Sequence, residues 1–133
     1  MKTNAPVLAL LLCAMGAWLV AADEKPTSLT EAGAAVAANQ RTPEGKAYGA
    51  QLVKEFAGKG ILRKCSEAAG SDSDSFWILL KLDKDGVVKE VLLDPTTKLG
   101  ACMRTKLLND RFSRPPRPEY WVGVNVKIAP FTR

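Results

Sequence analysis

The sequence predicts an α+β domain of two layers: a small three-stranded antiparallel sheet with helices packed on one face, in the order α-β-β-α-β, tied by one disulfide. Apolar residues alternate with a period of two in Phe76–Leu82 and in Tyr120–Ile128, the spacing of strands with one buried face. Between the first of these and a second apolar run, Asp83-Lys84-Asp85-Gly86 has the composition of a hairpin turn. Tyr48, Leu52 and Phe56 recur every four residues, which places one apolar stripe on a helix.

The chain opens with Lys2 and an apolar run from Val7 to Val20 that ends in the small residues Ala21-Ala22, the composition of a cleaved export signal over residues 1–22. A retained anchor is the competing reading, but fewer than about 17 apolar residues is short for a spanning helix. Cys13 follows Leu12, where a lipoprotein signal requires a small residue. Without residues 1–22 the chain has 111 residues, enough for one core and too few for two. Eighteen Lys and Arg then stand against 14 Asp and Glu, a scattered surplus that fits solubility and not nucleic-acid binding. No stable membrane insertion is expected after cleavage.

Residues 23–42 are polar and alanine-rich. Ser28 and Glu31 have the spacing of a capping box, yet Leu29 and Val36 are the only large aliphatic residues, so a frayed helix in a flexible leader is expected. The domain proper is then residues 43–133. Thr42-Pro43-Glu44 supplies an N-cap, a proline at the first helical position and an acid at the positive end of the dipole, and Gly58 and Gly60 end or break that helix. Ala68–Ser75 reads as a connector.

In the hairpin, Gly86 can adopt the positive φ that a type I turn with a following bulge requires. The return strand, Val87–Leu93, slips in its apolar register, which a bulge at Lys89-Glu90 would produce. Asp94-Pro95 offers a start for a second helix, in which Leu99, Cys102, Met103 and Leu107 share the inward face. Phe112–Pro118 ends it and stiffens the approach to the last strand. Cys65 and Cys102 are the two cysteines beyond the signal, and an oxidising compartment favours their pairing into a disulfide.

There is no histidine, which removes triads and zinc sites that depend on it. Asp83–Gly86 is not a calcium loop, because the glycine comes two residues early and no glutamate stands at the twelfth position. Asp72 and Asp74 lie in a serine-rich stretch with nothing apolar to shift them. No catalytic residue, metal ligand or cofactor is assigned, and a non-enzymatic protein is expected. Arg114, Arg117 and Lys127 form a candidate basic patch for an acidic partner. Trp121, beside Tyr120, is either part of a second small core or an exposed binding anchor.

Taken together, Tyr48–Phe56, the Leu80–Gly86 turn, Cys102 in its helix, Arg114-Pro115-Pro116 and the run Tyr120–Phe131 resemble the C-terminal periplasmic domain of the TonB and TolA proteins, over residues 43–131. The resemblance implies binding of envelope proteins, outer-membrane or periplasmic, in a Gram-negative periplasm by addition of a strand at an exposed sheet edge. Carried to this chain, that edge is Tyr120, Trp121, Val122, Gly123, Val124, Asn125 and Val126. Two features depart from the family: the expected signal and short leader replace an anchor and long spacer, and Cys65 stands about ten residues before the first strand. The alternatives are a membrane-anchored energy transducer of the TonB type and a small secreted enzyme or inhibitor. The sequence leaves the partner's identity and the oligomeric state open.

Overall fold

A computed structural model describes residues 27–69 and 75–127. The expected export signal, most of the Ala68–Ser75 connector and Ile128 lie outside the described residues. Seven elements follow in order: α1 (Leu29–Asn39), α2 (Pro43–Gly58), α3 (Ile61–Ala69), β1 (Phe76–Leu82), β2 (Val88–Asp94), α4 (Lys98–Leu107) and β3 (Tyr120–Val126). The strands form an antiparallel sheet in the order β2-β1-β3, so the first strand is central and both later strands are edges. The α+β class, the three antiparallel strands and the disulfide are as the sequence predicts.

The hairpin closes through a bond from the Asp83 amide to the Val87 carbonyl at 3.0 Å and one from the Gly86 amide to the Asp83 carbonyl at 3.0 Å. Gly86 has φ +88°, and a Cβ there would stand 2.1 Å from the Phe112 carbonyl oxygen, so both conformation and space require glycine. The bulge expected at Lys89-Glu90 is present: Lys81 faces Glu90 and Leu82 faces Val88, which leaves Lys89 unmatched.

On one face of the sheet, Phe76, Ile78, Leu80 and Leu82 of β1 meet Tyr120, Val122, Val124 and Val126 of β3, and α2, α3 and α4 cover them. Tyr48, Leu52 and Phe56 come from α2, Ile61 and Cys65 from α3, and Leu99, Met103 and Leu107 from α4. Thr42 caps α2 as read from sequence, its hydroxyl accepting from the Gly45 amide at 2.9 Å. α4 starts later than Asp94-Pro95 suggested. Asp94 closes β2, and the cap is Thr97, whose hydroxyl accepts from the Gly100 amide at 2.9 Å. The Cys65–Cys102 disulfide, with a Cα–Cα distance of 5.7 Å, joins α3 to α4.

The second face holds the largest departure from expectation. Part of the stretch read as a flexible leader is the helix α1, which packs on this face and adds a layer to the two that the sequence predicted. Ser28 caps it, as its spacing with Glu31 suggested. Ala32 and Val36 bury against Leu79 and Trp121, a second core made of four residues. The sequence understated this helix because its apolar face is mostly alanine, and because Gly123 lowers the sheet surface beneath it: a Cβ at Gly123 would lie 3.2 Å from Val36 Cγ1. At its start, the Thr27 amide donates to Glu90 Oε1 on β2 at 3.0 Å, and at its end Asn39 reaches β3, so α1 crosses the sheet from one edge to the other.

Candidate functional site

The two sheet edges differ. Along β2, the Val88 amide donates to the Asp110 carbonyl at 2.8 Å and the Asn109 amide donates to the Val88 carbonyl at 2.9 Å. Val87 bridges to Arg111, and the Phe112 amide donates to the Gly86 carbonyl at 2.9 Å. Residues 109–112 therefore run along this edge like a short extra strand. Lys59 pins them, pairing with Asp110 at 3.1 Å, donating to the Arg111 carbonyl at 2.9 Å and lying 4.7 Å over the Phe112 ring. The chain itself thus blunts this edge at its hairpin end, while the outward backbone groups of Val91 and Leu93 farther along β2 take part in no hydrogen bond outside the sheet among the described residues.

Among the described residues, β3 is paired on one side alone. In an antiparallel pair, residues that exchange bonds with the neighbour alternate with residues whose backbone groups point away. The Asp83 amide points toward β2, so by alternation Leu82, Leu80, Ile78 and Phe76 bond to β3 through their partners Tyr120, Val122, Val124 and Val126. Trp121, Gly123 and Asn125 then direct their amides and carbonyls outward. The bond from Asn39 Nδ2 to the Trp121 carbonyl, 2.9 Å, has this same parity.

Only part of that outward row is open, because the leader helix caps the Trp121 carbonyl. Asn39 is itself held by Arg117, whose Nη2 donates to Asn39 Oδ1, and the Arg117 guanidinium lies 5.7 Å over the Tyr120 ring. Among the described residues, the outward groups of Gly123 and Asn125 take part in no hydrogen bond outside the sheet. Asn125 is exposed, and Gly123 is buried at the bottom of a groove of about 280 Å³ between β3 and α2, walled by Gly45, Lys46, Gly49, Ala50 and Val53.

Of the two readings of Trp121, core packing holds: it is 6% exposed within the second core. Tyr120, Val122, Val124 and Val126 are core residues as well, so their side chains are unavailable, and with the Trp121 carbonyl taken by Asn39 the edge offers main chain at Gly123 and Asn125. The basic patch is not brought together. Arg114 and Arg117 precede β3, while Lys127 follows its far end, seven strand residues away. At about 3.3 Å per residue, that separation exceeds 20 Å.

Perturbed ionisations do not converge on one cavity. Burial, with Glu55 and Tyr120 nearby, raises the Tyr48 phenol, which donates to the Ser113 carbonyl at 2.7 Å. Burial also raises Tyr120, which meets Tyr48 edge to face at 5.3 Å. In the hairpin, the Val87 amide foremost, and then the Asp85 amide with Lys89 and Arg111, holds the Asp83 carboxyl below its ordinary value. Asp83 Oδ1 accepts from the Val87 amide at 3.0 Å and from the Asp85 amide at 2.9 Å, the work of a turn residue.

No protein-family model, curated protein or solved structure matches the chain. The site is thus described by its own geometry. Asn39 and the α2 wall were not read from the sequence as part of it. One signal was present: Gly49 interrupts a helix where glycine costs about 1 kcal/mol relative to alanine, and such a residue often marks a close approach.

Proposed function

We propose that this chain is an exported, non-catalytic protein-binding module of the TonB/TolA C-terminal type, which engages an envelope protein in the periplasm by adding a strand to β3. What supports this reading is that Gly123 and Asn125 keep outward backbone groups without partners among the described residues, beside an open groove against α2, whereas residues 109–112 cover the hairpin end of β2 at Gly86–Val88. An added strand would satisfy those groups with main-chain bonds and needs few special side chains. The hypothesis is narrower than the whole strand, since Asn39 already occupies the Trp121 carbonyl.

Asn125→Pro tests it. Proline there removes an outward amide and no bond to β1, a placement that edge strands tolerate. A proline at Val124 would remove a bond to β1 and damage the sheet. With both proteins immobilised, wild type is expected to capture an envelope protein that Asn125→Pro does not, at matched melting temperatures. Equal capture by the two folded proteins would reject edge addition.

A further inference from the structure

The groove beside β3 has features that a bare sheet edge lacks. On α2, Gly45, Gly49, Ala50 and Val53 follow one another at helical spacing along the side that faces the edge. Gly45 is filled by the molecule itself, since a Cβ there would fall 1.7 Å from the Asn39 carbonyl oxygen. Gly49 is different: a Cβ there would meet nothing within 4 Å. Val53 is 46% exposed at the end of the row, and Lys46, also exposed, stands at the rim in no ion pair among the described residues. The groove is thus apolar along its α2 wall, empty over Gly49 and positive at one rim, with the exposed Gln40 also lining it.

A strand added outside β3 would lie about 4.8 Å beyond it, and its side chains would alternate between the two faces of the sheet. Those level with Val122 and Val124 would point to the face that α2 covers. They would enter the space over Gly49 and Ala50. We infer that this groove selects the partner: it takes an extended segment with a bulky aliphatic side chain over Gly49 and an acidic residue near Lys46. The inference rests on the edge-strand reading and adds to it the chemistry of the occupant. Backbone groups at Gly123 specify an extended chain, the empty volume specifies size, and the lysine specifies charge.

The probe is a fluorescein-labelled peptide matched to the seven residues of β3, alternating threonine with leucine and ending in aspartate, titrated into the full chain by anisotropy. Comparison peptides replace leucine by alanine, or carry N-methyl groups on every second amide in either frame. The leucine peptide is expected to bind about tenfold more tightly than the alanine peptide, since each buried methylene contributes substantially. Gly49→Leu should remove that preference without lowering the melting temperature, because the site is open and glycine is a poor helix former. N-methylation in one frame only should abolish binding of both peptides.

Equal binding of leucine and alanine peptides, with that methylation sensitivity kept, would overturn the groove inference and leave edge addition standing. Binding that tolerates both methylated frames would overturn edge addition, and the groove inference with it. Failure of every peptide to bind would overturn the inference too. A dimer in sedimentation velocity that Gly49→Leu dissociates would assign the groove to a second copy of this chain and overturn a foreign occupant.

Discussion

Val36→Ala offers the most direct measure of how firmly the leader helix is held. Val36 is 8% exposed and packs on Leu79 and Trp121, and it is the large aliphatic anchor of α1 in a core of four residues. The substitution removes two carbons, and at about 0.8 kcal/mol each the lost transfer energy is about 1.6 kcal/mol. Gly123 lies beneath Val36 Cγ1 and has no side chain to fill the gap, so the cost sits at or above that figure. Since 1.4 kcal/mol is a factor of ten, about 1.6 kcal/mol raises the population with α1 undocked about 15-fold. Native-state hydrogen exchange reads this directly. In the wild type, α1 amides should be protected, though less than those of β1, because a four-residue core opens before the main one. In Val36→Ala they should exchange about 15-fold faster. Unprotected α1 amides in the wild type would restore the flexible leader, and equal exchange in the two proteins would refute the packing described for Val36.

Two further outcomes follow from the disulfide and the hairpin turn. Cys65→Ala with Cys102→Ala releases a staple across a sequence separation of 37. Loop entropy puts the loss at about 4 kcal/mol before native-state adjustment, which urea denaturation should report, and a change under about 1 kcal/mol would contradict it. The Asp83 carboxyl is held below its ordinary value of 3.8 in the folded chain, so its contribution to stability is full above that pH and is lost as pH falls through the folded value. Asp83→Asn should therefore flatten the acid limb of the stability curve below about pH 4, and an unchanged limb would refute the bonding assigned to the turn.

The candidate site was legible in one respect and hidden in another. Strict alternation from Tyr120 marked β3, and the resemblance to a strand-adding family pointed to its edge. The half of the strand that is open could not be read, because it depends on where α1 ends. Asn39 is 82 residues from Trp121 in the chain, and no periodicity joins a leader asparagine to a strand carbonyl. The basic patch failed for a related reason: residues close in sequence were grouped together, although a strand carries Lys127 to the opposite end of the sheet from Arg117.

By itself, the sequence determined what is local or periodic. The hairpin and its bulge, the Thr42-Pro43 helix start, the inward face of α4 and the α+β class all come from spacing, capping and turn chemistry, which act between near neighbours. The pairing of Cys65 with Cys102 needed only a cysteine count and the expectation of an oxidising compartment. The tertiary structure alone decided that α1 would cover the second face, that Trp121 would be core, and that residues 109–112 would cover the hairpin end of β2 while Asn39 capped part of β3. Each of these depends on surfaces that meet across long stretches of chain, where alanine and glycine succeed by being small. Smallness leaves no hydrophobic signature in a sequence, and it shows only once another element is seen to fit against it.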